Sequence, residues 1–255
     1  MLDITISIVT YNSALDIDNA LVSIISKIDK RIKYKIFIVD NNSKDNTLLI
    51  VSKYKNNVEV IKMNKNVGFG AGHNIVLDRL NSKFHIIVNP DIIINNSVIN
   101  DMYDYMDEHF NIGLLTPKVK YPNGDMQYLC KRDPNFFDLF IRLLIPFAFK
   151  KRQSRYMMLD KNYDEPFKVP YATGCFMFFR TDVFKEIKGF DERFFLHFED
   201  ADITRRVNEK SEVIFYPYNY VIHDWKRESK KKLRLILIMV KSAFMYFKKW
   251  GLRFY

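Results

Sequence analysis

An α/β fold built on a mostly parallel sheet is the architecture this sequence predicts. In the first hundred residues, nearly continuous β-branched runs alternate with segments of helical apolar spacing, and each run ends in polar turn residues. The chain has 255 residues with 48% hydrophobic content, enough to bury a large core.

The runs Ile4 to Thr10, Tyr34 to Asp40, Val58 to Met63 and Phe84 to Asn89 read as buried parallel strands. Leu15 to Lys27, Thr47 to Tyr54, Ala71 to Leu80 and Ser97 to Glu108 carry helical spacing after them, which predicts a doubly wound sheet. Ligands in such sheets sit at the carboxyl ends of strands, here Thr10-Tyr11-Asn12, Asp40-Asn41-Asn42 and Asn89-Pro90-Asp91. After Gly113 the pattern changes. Leu114 to Tyr121 predicts a strand and Pro122 to Asp125 a turn, followed by a strand candidate over Tyr171 to Arg180, a short helix capped by Thr181, and a helix over Glu199 to Asn208. An aromatic patch at 135–160 holds Phe136, Phe137, Phe140, Leu143, Leu144, Phe147 and Phe149, and suits either core packing or an acceptor-side flap. Residues 1–225 form one predicted unit, and 226–255 a tail.

Cys130 and Cys175 are far apart, so a disulfide framework is not expected and a reducing, cytoplasmic setting is; each reads as a buried apolar residue. The amino end lacks the basic flank of a secretory signal, and no apolar run approaches the ~20 residues of a spanning helix. Net charge is +10, but 226–255 alone hold ten Lys or Arg against Glu228, so the remainder is close to neutral. In that tail, Leu233, Ile236, Leu237, Val240, Phe244 and Phe247 recur at helical spacing. This pattern fits either a helix packed on the catalytic unit or one lying on an anionic membrane surface.

Carboxylates at strand ends carry the chemical signal. Asp40 and Asp91 close strands, and Glu199, Asp200 and Asp202 open a helix, where acids also simply suit the helix dipole. One acid can hold a hard cation through oxygen while another takes a proton from a hydroxyl. Asp40 to Ser43 is equally compatible with plain turn chemistry, and His223 with an ordinary buried histidine.

Six segments together resemble the family 2 glycosyltransferases. They are Ser7 to Asn12, Val39 to Ser43, Asn66 to Asn74, Val88 to Asp91, Thr173 to Cys175, and Phe198 to Asp202. The resemblance implies the A-type glycosyltransferase fold, with a nucleotide-sugar half at 1–112 and an acceptor half at 113–225. It implies donor binding by Thr10, Asn12, Asp40, Asn41, Asn66, Gly68, Asn74 and Asn89, and Mg²⁺ or Mn²⁺ held by Asp91 with His223. It further implies a general base, Asp200, supported by Glu199, and an acceptor lined by Thr173, Gly174 and Asp202. The family's first metal-motif acid is Asn89 here, one carboxylate fewer. The expected reaction is an inverting transfer from a nucleoside diphosphate sugar to a lipid-linked saccharide at the inner face of the cell membrane.

The run His223 to Ser229, with Ser242 and Tyr246 to Gly251, resembles bacterial rhamnosyltransferases of surface polysaccharide assembly and points to dTDP-rhamnose, with UDP-hexose and UDP-N-acetylhexosamine donors as alternatives. Other classes fit less well. The dinucleotide fingerprint needs glycine where His73 stands and should follow the first strand, and a nucleotidyltransferase should carry a glycine-rich loop at Thr10 to Ala14. A nucleic-acid-binding protein could use the basic tail, but strand-end acids repel phosphate, so no nucleic-acid partner is expected.

Overall fold

The computed structural model describes residues 1–138, 149–224 and 233–252. The strands are β1 (Leu2–Thr10), β2 (Tyr34–Asp40), β3 (Val58–Lys62), β4 (Ser82–Val88), β5 (Ile92–Ile94), β6 (Ile112–Lys120), β7 (Phe167–Lys168), β8 (Phe176–Arg180) and β9 (Glu212–His223). The α-helices are α1 (Ile17–Lys27), α2 (Thr47–Ser52), α3 (Phe69–Asn74), α4 (Val98–Glu108), α5 (Lys150–Tyr156), α6 (Thr181–Glu186), α7 (Glu199–Asn208) and α8 (Leu233–Trp250).

The strands join in one sheet of order β3-β2-β1-β4-β8-β6-β9-β5, with β7 on β9. The first four are parallel, as their apolar runs predict. β8 is antiparallel to both β4 and β6, and β9 runs parallel to β6. The carboxyl ends of β1, β2, β4 and β9 and the amino end of β8 therefore share one edge, where the candidate site lies.

Alternation of side chains splits the interior into two layers. Ile4, Ile6, Ile8, Ile36, Ile38, Phe84 and Ile86 face α1 and α4. Phe37, Val39, Ile87, Met177 and Phe179 meet Phe184 of α6 and Ile203 and Val207 of α7 on the other side. On that second face the amino-terminal parts of β1 and β4 are polar. Thr5, Ser7, Ser82 and His85 are buried and hydrogen-bonded in a chain that begins at His73 Nδ1 of α3, so these four are satisfied in the core, while His73 Nε2 has no hydrogen-bond partner among the described residues.

Several expectations need correction. The helix expected over Ala71 to Leu80 is α3, starting two residues earlier and ending at Asn74, followed by a 3₁₀ turn at Leu77–Arg79. At its end the Asn74 side chain exchanges two hydrogen bonds with the Phe190 backbone. Thr181 lies inside α6, and its hydroxyl pairs with Ser82 rather than capping the helix. Regular strand covers only Phe176–Arg180 of Tyr171 to Arg180; Tyr171 bridges Lys131 alone. Phe136, Phe137 and Phe149 of the aromatic patch are exposed rather than core. Phe140, Leu143, Leu144 and Phe147 lie outside the described residues, as do the tail residues 225–232. Cys130 and Cys175 are free and buried, and burial pushes the Cys175 thiol up to about 12.

Candidate active site

Four loops at the shared sheet edge carry the candidate residues. After β1 and β2, the segments are tied to each other by side chains. Asp40 is buried and accepts from Thr10 Oγ1 at 3.0 Å, Ser43 Oγ at 2.5 Å and the Ser43 amide at 2.9 Å. Asn12 has φ of 54° and Asn42 of 64°, left-handed values that asparagine tolerates better than most residues. The Asn12 amide donates to Ser43 Oγ, and its side-chain oxygen accepts from the Lys44 amide. Turn formation thus accounts for much of this motif, while Thr10 and Asp40 still floor the edge.

Asn41, Asn66 and Gly68 shape the next loop. Asn41 Nδ2 donates to the Gly68 carbonyl at 3.0 Å, and the Gly68 amide donates to Asn66 Oδ1 at 2.9 Å. Gly68 has φ of 96°, and a Cβ there would meet the Phe195 carbonyl oxygen at 2.3 Å. Only glycine fits, so this position fastens the loop before α3 to the segment preceding Glu199; the Phe69 amide completes the contact by donating to Phe195 O. Asn41 and Asn74 act here as clamps between loops.

Asp91 follows β4, and β5 then pairs antiparallel with β9, setting Ile92 opposite His223. His223 Nε2 lies 3.3 Å from Asp91 Oδ2. Gln127 fixes the imidazole: its Nε2 donates to the His223 carbonyl, leaving its Oε1 to accept from His223 Nδ1 at 3.1 Å. Nε2 is therefore the nitrogen presented to the carboxylate. Asp91 Oδ1 is buried and has no hydrogen-bond partner among the described residues. An orphaned carboxylate oxygen beside an imidazole nitrogen is a donor pair that fits Mn²⁺ better than Mg²⁺, which takes oxygen ligands; for either ion the carboxylate is the stronger contributor. Among the described residues no group of three or more His, Cys, Asp or Glu side chains converges as a complete metal cage. Asn89 donates its amide to the Cys175 carbonyl at 2.9 Å, so its backbone braces this loop.

Glu199 and Asp200 open α7 after a tight entry. His197 and Phe198 have φ of 70° and 68°, and left-handed geometry costs non-glycine residues on the order of 1–3 kcal/mol each. Asp200 Oδ1 accepts from the Tyr171 hydroxyl at 3.0 Å and from the Ala201 amide at 2.9 Å; Oδ2 accepts only a long bond from the Gly174 amide, 3.3 Å. Oδ2 is thus the less engaged oxygen. Burial, then the adjacent Asp200 charge, push Glu199 well above the usual carboxylate range, favouring its neutral acid form. Burial and the Asp200 charge likewise raise the Tyr171 hydroxyl, keeping it a donor.

The Gly174-Cys175 step joins the two halves: Gly174 N reaches Asp200, and Cys175 O receives the amide of Asn89, two residues before Asp91. Thr173 Oγ1 donates to the Leu129 carbonyl and lies 3.4 Å from Lys131 Nζ. Asp202 departs from expectation. It is fully buried, accepting from Arg206 Nε at 2.8 Å, Trp250 Nε1 at 2.8 Å and Lys249 Nζ at 2.6 Å, which makes it an anchor for α8 rather than part of an acceptor surface. Sequence reasoning missed Tyr171 and Gln127. Tyr171 stands two residues before the Thr173 to Cys175 segment, a nearby signal; nothing local marks Gln127, which reaches His223 only through the fold.

The sequence profile of Glycosyl transferase family 2 matches residues 5–188. The poly(ribitol-phosphate) beta-N-acetylglucosaminyltransferase TarS of Staphylococcus aureus is 32% identical over 127 residues, 49% of this chain and 22% of that protein. The N-acetylglucosaminyl-diphospho-decaprenol L-rhamnosyltransferase of Mycobacterium tuberculosis is 22% identical over 234 residues, 84% of this chain and 74% of that one. This chain therefore spans about a fifth of TarS and three quarters of the mycobacterial enzyme. The crystal structure of S. aureus TarS 1-349 in complex with UDP-GlcNAc superimposes with a TM-score of 0.66 at 20% identity, over 96% of this chain and 67% of that one, which shows the A-type glycosyltransferase fold. With the profile covering most of its length, the chain belongs to glycosyl transferase family 2.

Proposed function

We propose that this chain is an inverting, metal-assisted hexosyltransferase that moves a sugar from a nucleoside diphosphate to a hydroxyl of a lipid-linked saccharide. The observation that carries the reading is the pair of sites joined by Gly174-Cys175: Asp91 with His223 on one side, Asp200 on the other. Thr10 and Asp40 at the ends of β1 and β2 would receive the nucleoside, with Asn12, Asn66 and Asn89 shaping the pocket around it. Asp91 and His223 would hold Mg²⁺ or Mn²⁺, which when bound offsets the charge that develops on the leaving diphosphate. Asp200 Oδ2 would take the proton of the acceptor hydroxyl as that oxygen attacks the anomeric carbon. Tyr171 and the Ala201 amide hold the other oxygen still, and neutral Glu199 adds no competing charge beside the base. One base and one displacement invert the anomeric centre, whereas a double displacement needs a carboxylate nucleophile of its own. Thr173 and Gly174 would border the acceptor.

For the donor sugar, the rhamnosyltransferase of M. tuberculosis, matched over 84% of this chain, supports dTDP-rhamnose. TarS, more similar over a shorter stretch, supports a UDP-N-acetylhexosamine as the second reading. No described helix is long and apolar enough to cross a membrane. The acceptor would instead be met at a bilayer surface, through the exposed Leu237, Val240 and Phe244 of α8 beside Lys241 and Lys248. At ~1 kcal/mol per basic residue near an anionic surface, a few engaged charges suffice for salt-sensitive attachment.

The test is release of nucleoside diphosphate from a panel of sugar nucleotides, with Mn²⁺ and a polyprenyl-linked saccharide. dTDP-rhamnose is the expected substrate, and the glycoside formed should have the anomeric configuration opposite to the donor. Preference for UDP-GlcNAc would overturn the donor choice alone; retention of configuration would overturn the single-base mechanism.

A further inference from the structure

The strained entry to α7 is held by α8. Phe198, left-handed and buried, has its ring 5.5 Å from that of Tyr246, in a cluster with Tyr171, Phe194, Ala201 and Phe247. Ser242 Oγ donates to the Leu196 carbonyl at 2.9 Å, tying down the backbone just before the two left-handed residues. Beyond the carboxylates, Trp250 Nε1 and Lys249 Nζ both reach Asp202 Oδ1, and the Arg205 guanidinium lies 4.3 Å above the Trp250 ring. Lys249 also bridges to Asp191 at 2.8 Å. One helix thus grips the chain on both sides of Glu199 and Asp200. A left-handed phenylalanine persists only where its surroundings over-determine it, and here those surroundings are largely Tyr246 and its neighbours.

We propose that α8 is a clamp that positions the general base, with Trp250, Lys249 and Tyr246 as its positioning residues. The tail is then part of the catalytic machinery in its own right, whatever its outer face touches. The inference rests on Asp200 being the base of the transfer reaction. The direct partners of the donor-side groups, Ser43 on Asp40 and Gln127 on His223, lie outside α8, so loosening α8 disturbs turnover and spares donor binding.

Trp250→Phe removes one hydrogen bond to Asp202 and keeps an aromatic ring for Arg205 to cover; Tyr246→Leu removes the ring under Phe198. In the full chain, each should lower kcat at saturating donor roughly tenfold or more, because small misplacements of reacting groups are costly. The nucleoside diphosphate dissociation constant should stay within about twofold. Amide hydrogen exchange should quicken across residues 195–205 in both damaging variants. Unchanged exchange there overturns the clamp whether or not activity is measurable. Unchanged kcat overturns it too, as does a loss of kcat matched by an equal loss of donor affinity, which would make α8 merely structural. Absence of transfer by the wild-type chain with every donor would instead defeat the functional reading, leaving the exchange result to judge the clamp.

Discussion

His73 and His85 are fully buried, and burial holds both imidazoles well below their ordinary range, His85 at about 3. Their neutral forms complete the chain from Ser7 through Thr5 to Ser82, so the fold selects against the imidazolium. The sign follows from proton binding. The unfolded chain takes up protons at these histidines below pH ~6.5 and the folded one does not, so stability is full above that pH and is lost as pH falls toward 3. At pH 5.5 the loss is roughly 1 to 2 kcal/mol for His85, or roughly 2–8 °C in Tm for a chain of this size. His85→Gln should flatten the decline between pH 7.5 and 5.5 by about that amount; parallel declines in the two proteins would show that His85 does not contribute. Histidine identity was legible in the sequence, but its role was not, because His73 reads as a departure from a glycine fingerprint and only the pairing of β1 with β4 reveals its partners. Asp40 and Asn41 were legible as candidates at a strand end, yet Asn41 serves the loop at Gly68, which local spacing does not encode.

Helix α8 shows two characters at once. Tyr246 and Phe247 are buried on the catalytic unit, whereas Leu237 is 63% and Phe244 70% exposed. The tail stripe was legible as a single apolar set; the structure divides it, because Phe247 turns inward while Leu237, Val240 and Phe244 point out. Membrane attachment should therefore be tested on the outer face, leaving the inner contacts intact. Leu237→Glu with Phe244→Glu should abolish flotation with anionic liposomes at low salt while wild type floats, since both apolar area and surface charge drive interfacial binding. Equal flotation of the two proteins, or none by wild type, would contradict the membrane reading. Strands β1 to β4 were legible to within two residues from their apolar runs. β5 and β7 are too short to carry a period, and β9 bulges where Tyr216 and Tyr220 pair with the adjacent Pro117 and Lys118.

Across the whole molecule, residues distant in sequence meet because the parallel strands end together and β8 returns between β4 and β6. The motifs at Asp91 and Asp200 were legible separately. Their joining through Gly174-Cys175 was not, since it depends on an antiparallel strand inserted into a parallel sheet. That convergence is the central claim, and it assigns proton removal to Asp200 alone. The most direct test is the turnover of Asp200→Asn at saturating donor, alongside its donor affinity. Turnover should fall by a factor on the order of 10² to 10⁴, the range for losing a general base, with donor affinity within a few-fold of wild type. Turnover close to wild type, or a loss confined to donor binding, would contradict the account.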